Sequence, residues 1–457
     1  MKTNLLLFFL ALNFFACQSQ SILKENMVNK YSLKFGSLND RSITVEASIY
    51  VEGDEIEMMS RPIRFIPDIN SWWDIITVEK LEDIKGNVIK ILKTSGNKAI
   101  LDRRITGILK INYTVDISYV DRNYPNLNTA IGKSFKEGLF IVGKPLFIFG
   151  NWKLNTIVKI EKPQGVKITV PWKKGRNNYK AVSLRELILS NVIVSTNSIG
   201  VVDFSVGKLS YSLATFGLDK ESVAMVKQIA NDISKYYVNT FPLNKEIRYV
   251  QLVYGVPGRN GGGEAYPNSS ASAISSNNMK TSFFWKITVF HELFHMWNSH
   301  MIKGVAGNET MEWFQEGFTD YMTEMALLKN NHIDAQILAK YQKNSLKPLQ
   351  QRFENNPNKI TIKNSGSNKG QNYVIVYRGG WFIANWLEKR FEKLSNKTWS
   401  IQRLFQHILE KFPLNGQQDL TVEAFLDVIA EIDKKTSQDL KIILNTIDWQ
   451  TLKKYEK

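Results

Sequence analysis

The segment Phe290-His291-Glu292-Leu293-Phe294-His295 sets two histidines four residues apart with a glutamate between them. On a helix, His291 and His295 fall on one face a turn apart, so both imidazoles reach a single ion and Glu292 projects beside it. The whole chain has only five histidines, so such a pair is rarely accidental. Two imidazoles do not complete a hydrolytic zinc site, which takes a third protein ligand and keeps one position open for water. Glu316, within Trp313-Phe314-Gln315-Glu316-Gly317-Phe318-Thr319-Asp320-Tyr321, is an acid inside a second apolar helical segment. A buried carboxylate is costly unless it is paired or coordinates a cation, and zinc would supply that compensation. Asp320, one turn further on, is placed either to orient a ligand histidine through its second ring nitrogen or to stand as a solvated, helix-terminal acid.

These residues need rigid elements to carry them. Phe283 to Met296 has no Gly or Pro and is apolar nearly all round, which predicts a buried helix. Upstream, from Tyr31 to about Gly217, short runs such as Ser42 to Val51, Ile108 to Val115, Thr156 to Ile160 and Asn191 to Val194 alternate with period two. That pattern predicts half-buried antiparallel strands. Asp219 can cap a helix whose apolar positions Val223, Val226, Ile229, Ala230 and Ile233 recur at helical spacing, and an apolar strand follows from Ile247 to Tyr254. A Gly-rich and Ser-rich stretch, Gly258 to Asn278, then gives way to helical patterns from Thr281 to Lys457. These are broken at Asn355-Asn356-Pro357 and Pro413-Leu414-Asn415-Gly416. There is no internal repeat and no heptad run.

His291-Glu292-x-x-His295 followed by Trp297-Asn298, with Trp313-x-x-Glu316-Gly317-x-Thr319 downstream, resembles the gluzincin metallopeptidases and most of all the glycyl aminopeptidase family. The resemblance implies zinc held by His291, His295 and Glu316, with Glu292 as general base and acid. It also implies an α+β multidomain fold: an antiparallel β-rich N-terminal domain over 18–217, a thermolysin-like α/β catalytic domain over 218–330 and an α-helical domain over 331–457. The PDZ module that the family often carries after its helical domain is not expected here. Gly261-Gly262-Gly263-Glu264 resembles the Gly-rich segment in which gluzincin aminopeptidases place a glutamate on the substrate's free α-amine. Gly262 and Gly263 would let a peptide backbone approach, and Glu264 would select an ammonium end, with a flexible surface loop as the alternative. Related enzymes also carry Tyr-x-Lys-Gly beyond the third ligand, with a phenol that donates to the tetrahedral oxyanion. Tyr377 in Tyr377-Arg378-Gly379-Gly380 takes that place, with Gly379 where the Lys would stand and Tyr373 as the competing candidate.

Composition bounds the rest. The 457 residues carry 59 Lys and Arg against 43 Asp and Glu, a formal charge of +16, with 43% hydrophobic residues and one Cys. This composition excludes a disordered chain, a disulfide scaffold and a zinc-finger cage. Basic residues are interleaved with acids along the whole length and no nucleic-acid motif is present, so no nucleic-acid partner is expected. Met1-Lys2 and the apolar run Leu5 to Ala16, ending at Cys17, describe a secretory signal over 1–17. Phe14-Phe15-Ala16-Cys17 resembles a bacterial lipobox, which implies lipidation at Cys17 and an exported, periplasmic or outer-membrane-associated protein whose membrane contact is the anchor alone. Ordinary cleavage at this point is the alternative. His300, His332 and His407 sit in polar or amphipathic contexts and are read as surface or boundary residues.

Three functions fit these residues. The first is an aminopeptidase acting on peptides. The second is an endopeptidase on the same fold. The third is a non-catalytic surface lipoprotein that binds peptides, against which the retention of Glu292 argues.

Overall fold

The computed structural model describes residues 28–456, apart from 37–40, 60–68, 124–130, 151–153, 177, 182, 197–199, 259–260 and 395–397. Cys17 and the signal segment lie outside the described residues. The chain divides in sequence, between Ile199 and Gly200, into two compact units.

In the first unit, the alternating runs form strands as their periodicity predicts. Ser42–Glu57 and Lys98–Asp116 pair antiparallel over almost their full length, with Ile43, Val45, Ala47 and Ile49 turned inward and buried. They sit at the heart of an eight-stranded sheet, and a second, four-stranded sheet holds Gly138–Val142 and Asn191–Thr196. One pairing departs from the antiparallel expectation: Asn29–Lys34 runs parallel to Thr156–Glu161. The long connection between those two strands allows a parallel crossover that no hairpin could make.

The second unit holds a five-stranded sheet in the order Val201–Val206, Leu209–Phe216, Ile247–Val256, Ser269–Ser275 and Gly263–Tyr266. The three middle strands are mutually parallel, and Gly263–Tyr266 closes the order as an antiparallel edge. The expected boundary at 217/218 is therefore moved to 199/200. Strand Leu209–Phe216 reads like its β-rich predecessors, but it pairs with Ile247–Val256 and belongs to this sheet. The helix Lys220–Thr240 opens at Asp219, whose carboxylate accepts from the Ser222 amide at 2.8 Å. Helices of the last third share the core rather than forming a separate domain at 331. Phe405 packs edge-on to Phe241 and tilted to Phe294, and Phe425 meets Trp313 and Phe314 edge-on. No helix among the described residues is long and apolar enough to cross a membrane.

Candidate metal and active centre

The helix Phe284–Asn298 carries His291, Glu292 and His295, all buried. Two side chains of the central strand fasten it. Gln251 donates to the carbonyl of Val289 at 2.8 Å, and the Tyr249 hydroxyl donates to the carbonyl of Glu292 at 3.2 Å. The helix is thus tied to the sheet at the turn that carries His291 and Glu292, not only pressed against it.

Glu316 comes from a π-helical turn, Phe314–Phe318, that runs directly into the helix Thr319–Lys329. Such turns widen the backbone spiral and leave carbonyls without their usual partners, and they recur at functional sites. Here Asn298, at the end of the histidine helix, brings its amide nitrogen to 3.0 Å from the carbonyls of both Phe314 and Gln315, and to 2.9 Å from Thr319 Oγ1. A second π-helical turn, Ile375–Gly379, carries Tyr377 and leads into the helix Gly380–Lys393. The two turns touch through glycines. A Cβ on Gly380 would stand 1.9 Å from the Trp313 carbonyl oxygen, and one on Gly317 would stand 2.3 Å from the Gly380 backbone.

The three expected ligands converge. His295 Nε2 lies 2.9 Å from His291 Nε2, and Glu316 Oε2 lies 3.0 Å from His291 Nε2 and 3.4 Å from His295 Nε2. Zinc held tetrahedrally by nitrogen and oxygen atoms at its usual bond lengths spaces them about 3.3 Å apart. The donor triangle therefore fits zinc with little rearrangement, and His291, His295 and Glu316 are the metal-type cluster among the described residues. Asp320 is buried, and its Oδ1 sits 2.8 Å from His291 Nδ1, so it fixes the ring and its tautomer rather than standing in solvent. His295 is held in the same way by Ser299 Oγ at 2.9 Å.

Glu292 faces the edge strand. A Cβ on Gly263 would reach within 2.5 Å of Glu292 Oε1, so glycine at 263 is what lets the two approach. Burial, with the Glu316 and Glu264 charges adding to it, pushes the Glu292 carboxyl up to about 8 against the pull of His291. Glu264 is exposed on that strand, in register with Ala271, and Gly262 and Gly263 are exposed beside it. Tyr377 stacks on His291 with ring centroids 5.9 Å apart. Burial first, and then the carboxylates of Glu316, Glu292 and Asp320, hold its phenol well above the usual range, so it stays a donor. Tyr373 is 61% exposed, which separates it from the cluster.

Several residues of the centre were not anticipated. Lys369 Nζ reaches Glu316 Oε1 at 2.5 Å and Glu312 Oε2 at 2.8 Å. Arg378, beside Tyr377, lies 3.3 Å from Asp320 Oδ2 and donates to the Tyr341 hydroxyl at 2.7 Å. Glu324, one turn beyond Asp320, accepts from Trp381 Nε1 at 2.8 Å and Gln342 Nε2 at 2.9 Å. The neighbourhood of Arg378 to Tyr377 was a visible signal for one of them. Ser299 had its place one helical turn after His295, and Lys369 had none beyond its polarity. His332 and His407 pair with Asp232 and Glu431, away from the cluster.

The motif and the donor triangle form a zinc-type site of two histidines and a glutamate with Glu292 beside it, the arrangement that the resemblance to the gluzincin metallopeptidases implies. In agreement, residues 285–396 match the family model of the M61 glycyl aminopeptidases. No curated protein matches the chain in sequence. Among solved structures, it is similar to an aminopeptidase N family protein from Idiomarina loihiensis (19% identity, TM-score 0.74, 93% of this chain and 78% of that one). It is also similar to an M1 zinc metallopeptidase from Deinococcus radiodurans (12% identity, TM-score 0.57, 93% and 94% covered). A third is the leukotriene A4 hydrolase of Saccharomyces cerevisiae (14% identity, TM-score 0.53, 92% and 67% covered). These likenesses establish the shared fold.

Proposed function

We propose that the protein is an aminopeptidase that removes N-terminal residues from peptides. The observation that carries this reading is the place of Glu264, exposed on the outer strand of the sheet one residue beyond the glycine that abuts Glu292. A peptide lying along this edge as an added strand, with its ammonium on Glu264, has its first peptide bond near Glu292. When bound by His291, His295 and Glu316, zinc supplies Lewis acidity, polarising a carbonyl and acidifying a water. Glu292 takes the proton of the attacking water and returns it to the leaving amine. Tyr377 donates a hydrogen bond to the developing oxyanion, and Asp320 and Ser299 keep the two imidazoles aimed. A related Deinococcus radiodurans M1 metallopeptidase has been solved with a Tyr-Ser-Ala substrate bound, which supports a peptide substrate class.

The test contrasts free and N-acetylated peptides. Glu264→Ala is expected to raise KM for free-amine substrates by about 10- to 100-fold, the cost of losing a charge-assisted contact. Wild type is expected to leave acetylated peptides uncut. Cleavage of acetylated and free peptides at equal rates would point instead to an endopeptidase.

On the pattern of residues 1–17 we also propose export with lipid attached at Cys17. Metabolic labelling with an alkyne fatty acid is expected to mark wild type and not Cys17→Ser; equal labelling of both would refute the anchor.

A further inference from the structure

Glu316 divides its two oxygens between different partners. Oε2 faces the imidazole nitrogens at 3.0 and 3.4 Å, whereas Oε1 is held by Lys369 Nζ at 2.5 Å, with Gln315 Nε2 a longer second donor at 3.4 Å. Lys369 opens the helix Lys369–Val374, in a segment separate from both ligand-bearing elements. Its ammonium is shared with Glu312 at 2.8 Å and lies 5.7 Å from the centroid of the Tyr377 ring. The Glu316 side chain is only 4% exposed and that of Lys369 is 36% exposed, so the lysine stands at the solvent side of the ligand.

A carboxylate with both oxygens free can chelate a dication through both. A charge-assisted hydrogen bond on one of them competes directly with that mode. We propose that Lys369 is a positioning residue that keeps Glu316 a one-oxygen ligand and so preserves the open coordination place that hydrolysis requires. The lysine thereby acts on metal geometry, and its ammonium also lies over the Tyr377 ring. The proposal rests on reading this centre as a peptidase zinc site.

The experiment uses the cobalt-substituted full-length protein, whose visible absorption reports ligand number whether or not any peptide is cleaved. In Lys369→Met the second carboxylate oxygen loses its charged partner and keeps only the long contact from Gln315, so the visible bands are expected to weaken and shift as the ligand number rises. In the zinc form, kcat is expected to fall about 10- to 100-fold with KM nearly unchanged, as for other residues that orient metal ligands. Lys369→Arg keeps a cation on Oε1 and is expected to restore both the spectrum and kcat. Lys369→Ala carries the same prediction as Lys369→Met should the longer apolar side chain fail to fold. A wild-type cobalt spectrum in the folded neutral variants would overturn the proposal, even if kcat falls, because the lysine would then act on substrate. Loss of the aminopeptidase reading alone would leave the spectral prediction standing.

Discussion

His291 is gripped at both ring nitrogens, by Asp320 on one side and the ligand triangle on the other, and that grip extends outward. Asp320 meets Arg378, and Arg378 lies 3.6 Å from Glu324 at the back of the network. Burial pushes the fully buried Glu324 carboxyl up to about 7, more than Arg378 and its hydrogen bonds to Gln342 and Trp381 pull it down. A carboxyl raised in the folded state binds its proton more tightly there than in the unfolded chain. Its contribution to stability is therefore complete below its ordinary value near 4.5 and is lost as pH rises through about 7. The size of the loss is roughly 3 kcal/mol for a shift of this extent. Denaturant unfolding at pH 5 and pH 8 is expected to show that decline in wild type and a smaller one in Glu324→Gln; identical slopes would contradict it. The convergence of His291, His295 and Glu316 was legible in the sequence because His-Glu-x-x-His and an acid in an apolar helix each carry a local signature. Arg378 was legible only as the neighbour of Tyr377, Ser299 only as the residue one turn after His295, and Lys369 not at all, because its part in the centre is proximity created by separate elements.

At the scale of elements, the centre depends on two π-helical turns and the contacts that stabilise them. Sequence periodicity predicted helices on both sides, but a single widened turn leaves no trace in a 3.6-residue pattern. What betrays the turns in hindsight is their company: Gly317 and Gly380 permit backbone contact, and Asn298 serves the freed carbonyls. Asn298→Ala leaves those carbonyls without that donor, which is expected to cost about 1–3 kcal/mol in folding. Displacement of Glu316 should also weaken zinc binding about 10- to 100-fold. Chelator competition and denaturant titration measure the two effects, and an unchanged zinc affinity would show that the π-helical turn does not need Asn298. The edge strand was more legible. Gly262, Gly263 and Glu264 were read as an approachable edge with a carboxylate, and the sheet order ends on that strand. The close fit of Gly263 against Glu292 was beyond sequence, since it depends on how helix and strand cross.

For the whole molecule, fold class and order of elements followed from periodicity, whereas domain limits did not. Strands 201–206 and 209–216 look like the preceding β region, yet they add to the five-stranded sheet of the second unit, because pairing partners are chosen by tertiary packing. The pattern after 331 predicts a separate helical body, but its aromatic residues complete the core around Phe294 and Phe314. The +16 charge carries no part of the functional reading. That reading comes down to Glu292 beside a zinc triangle, and a panel of aminoacyl amides and blocked peptides tests it most directly. The assay sets wild type against Glu292→Gln, with metal content measured for each. The prediction is one zinc per chain in both proteins, hydrolysis of free-amine substrates by wild type that chelator abolishes and zinc restores, and a fall of at least about 10³-fold in Glu292→Gln. One zinc per chain with no substrate hydrolysed, and wild type indistinguishable from Glu292→Gln, would contradict it.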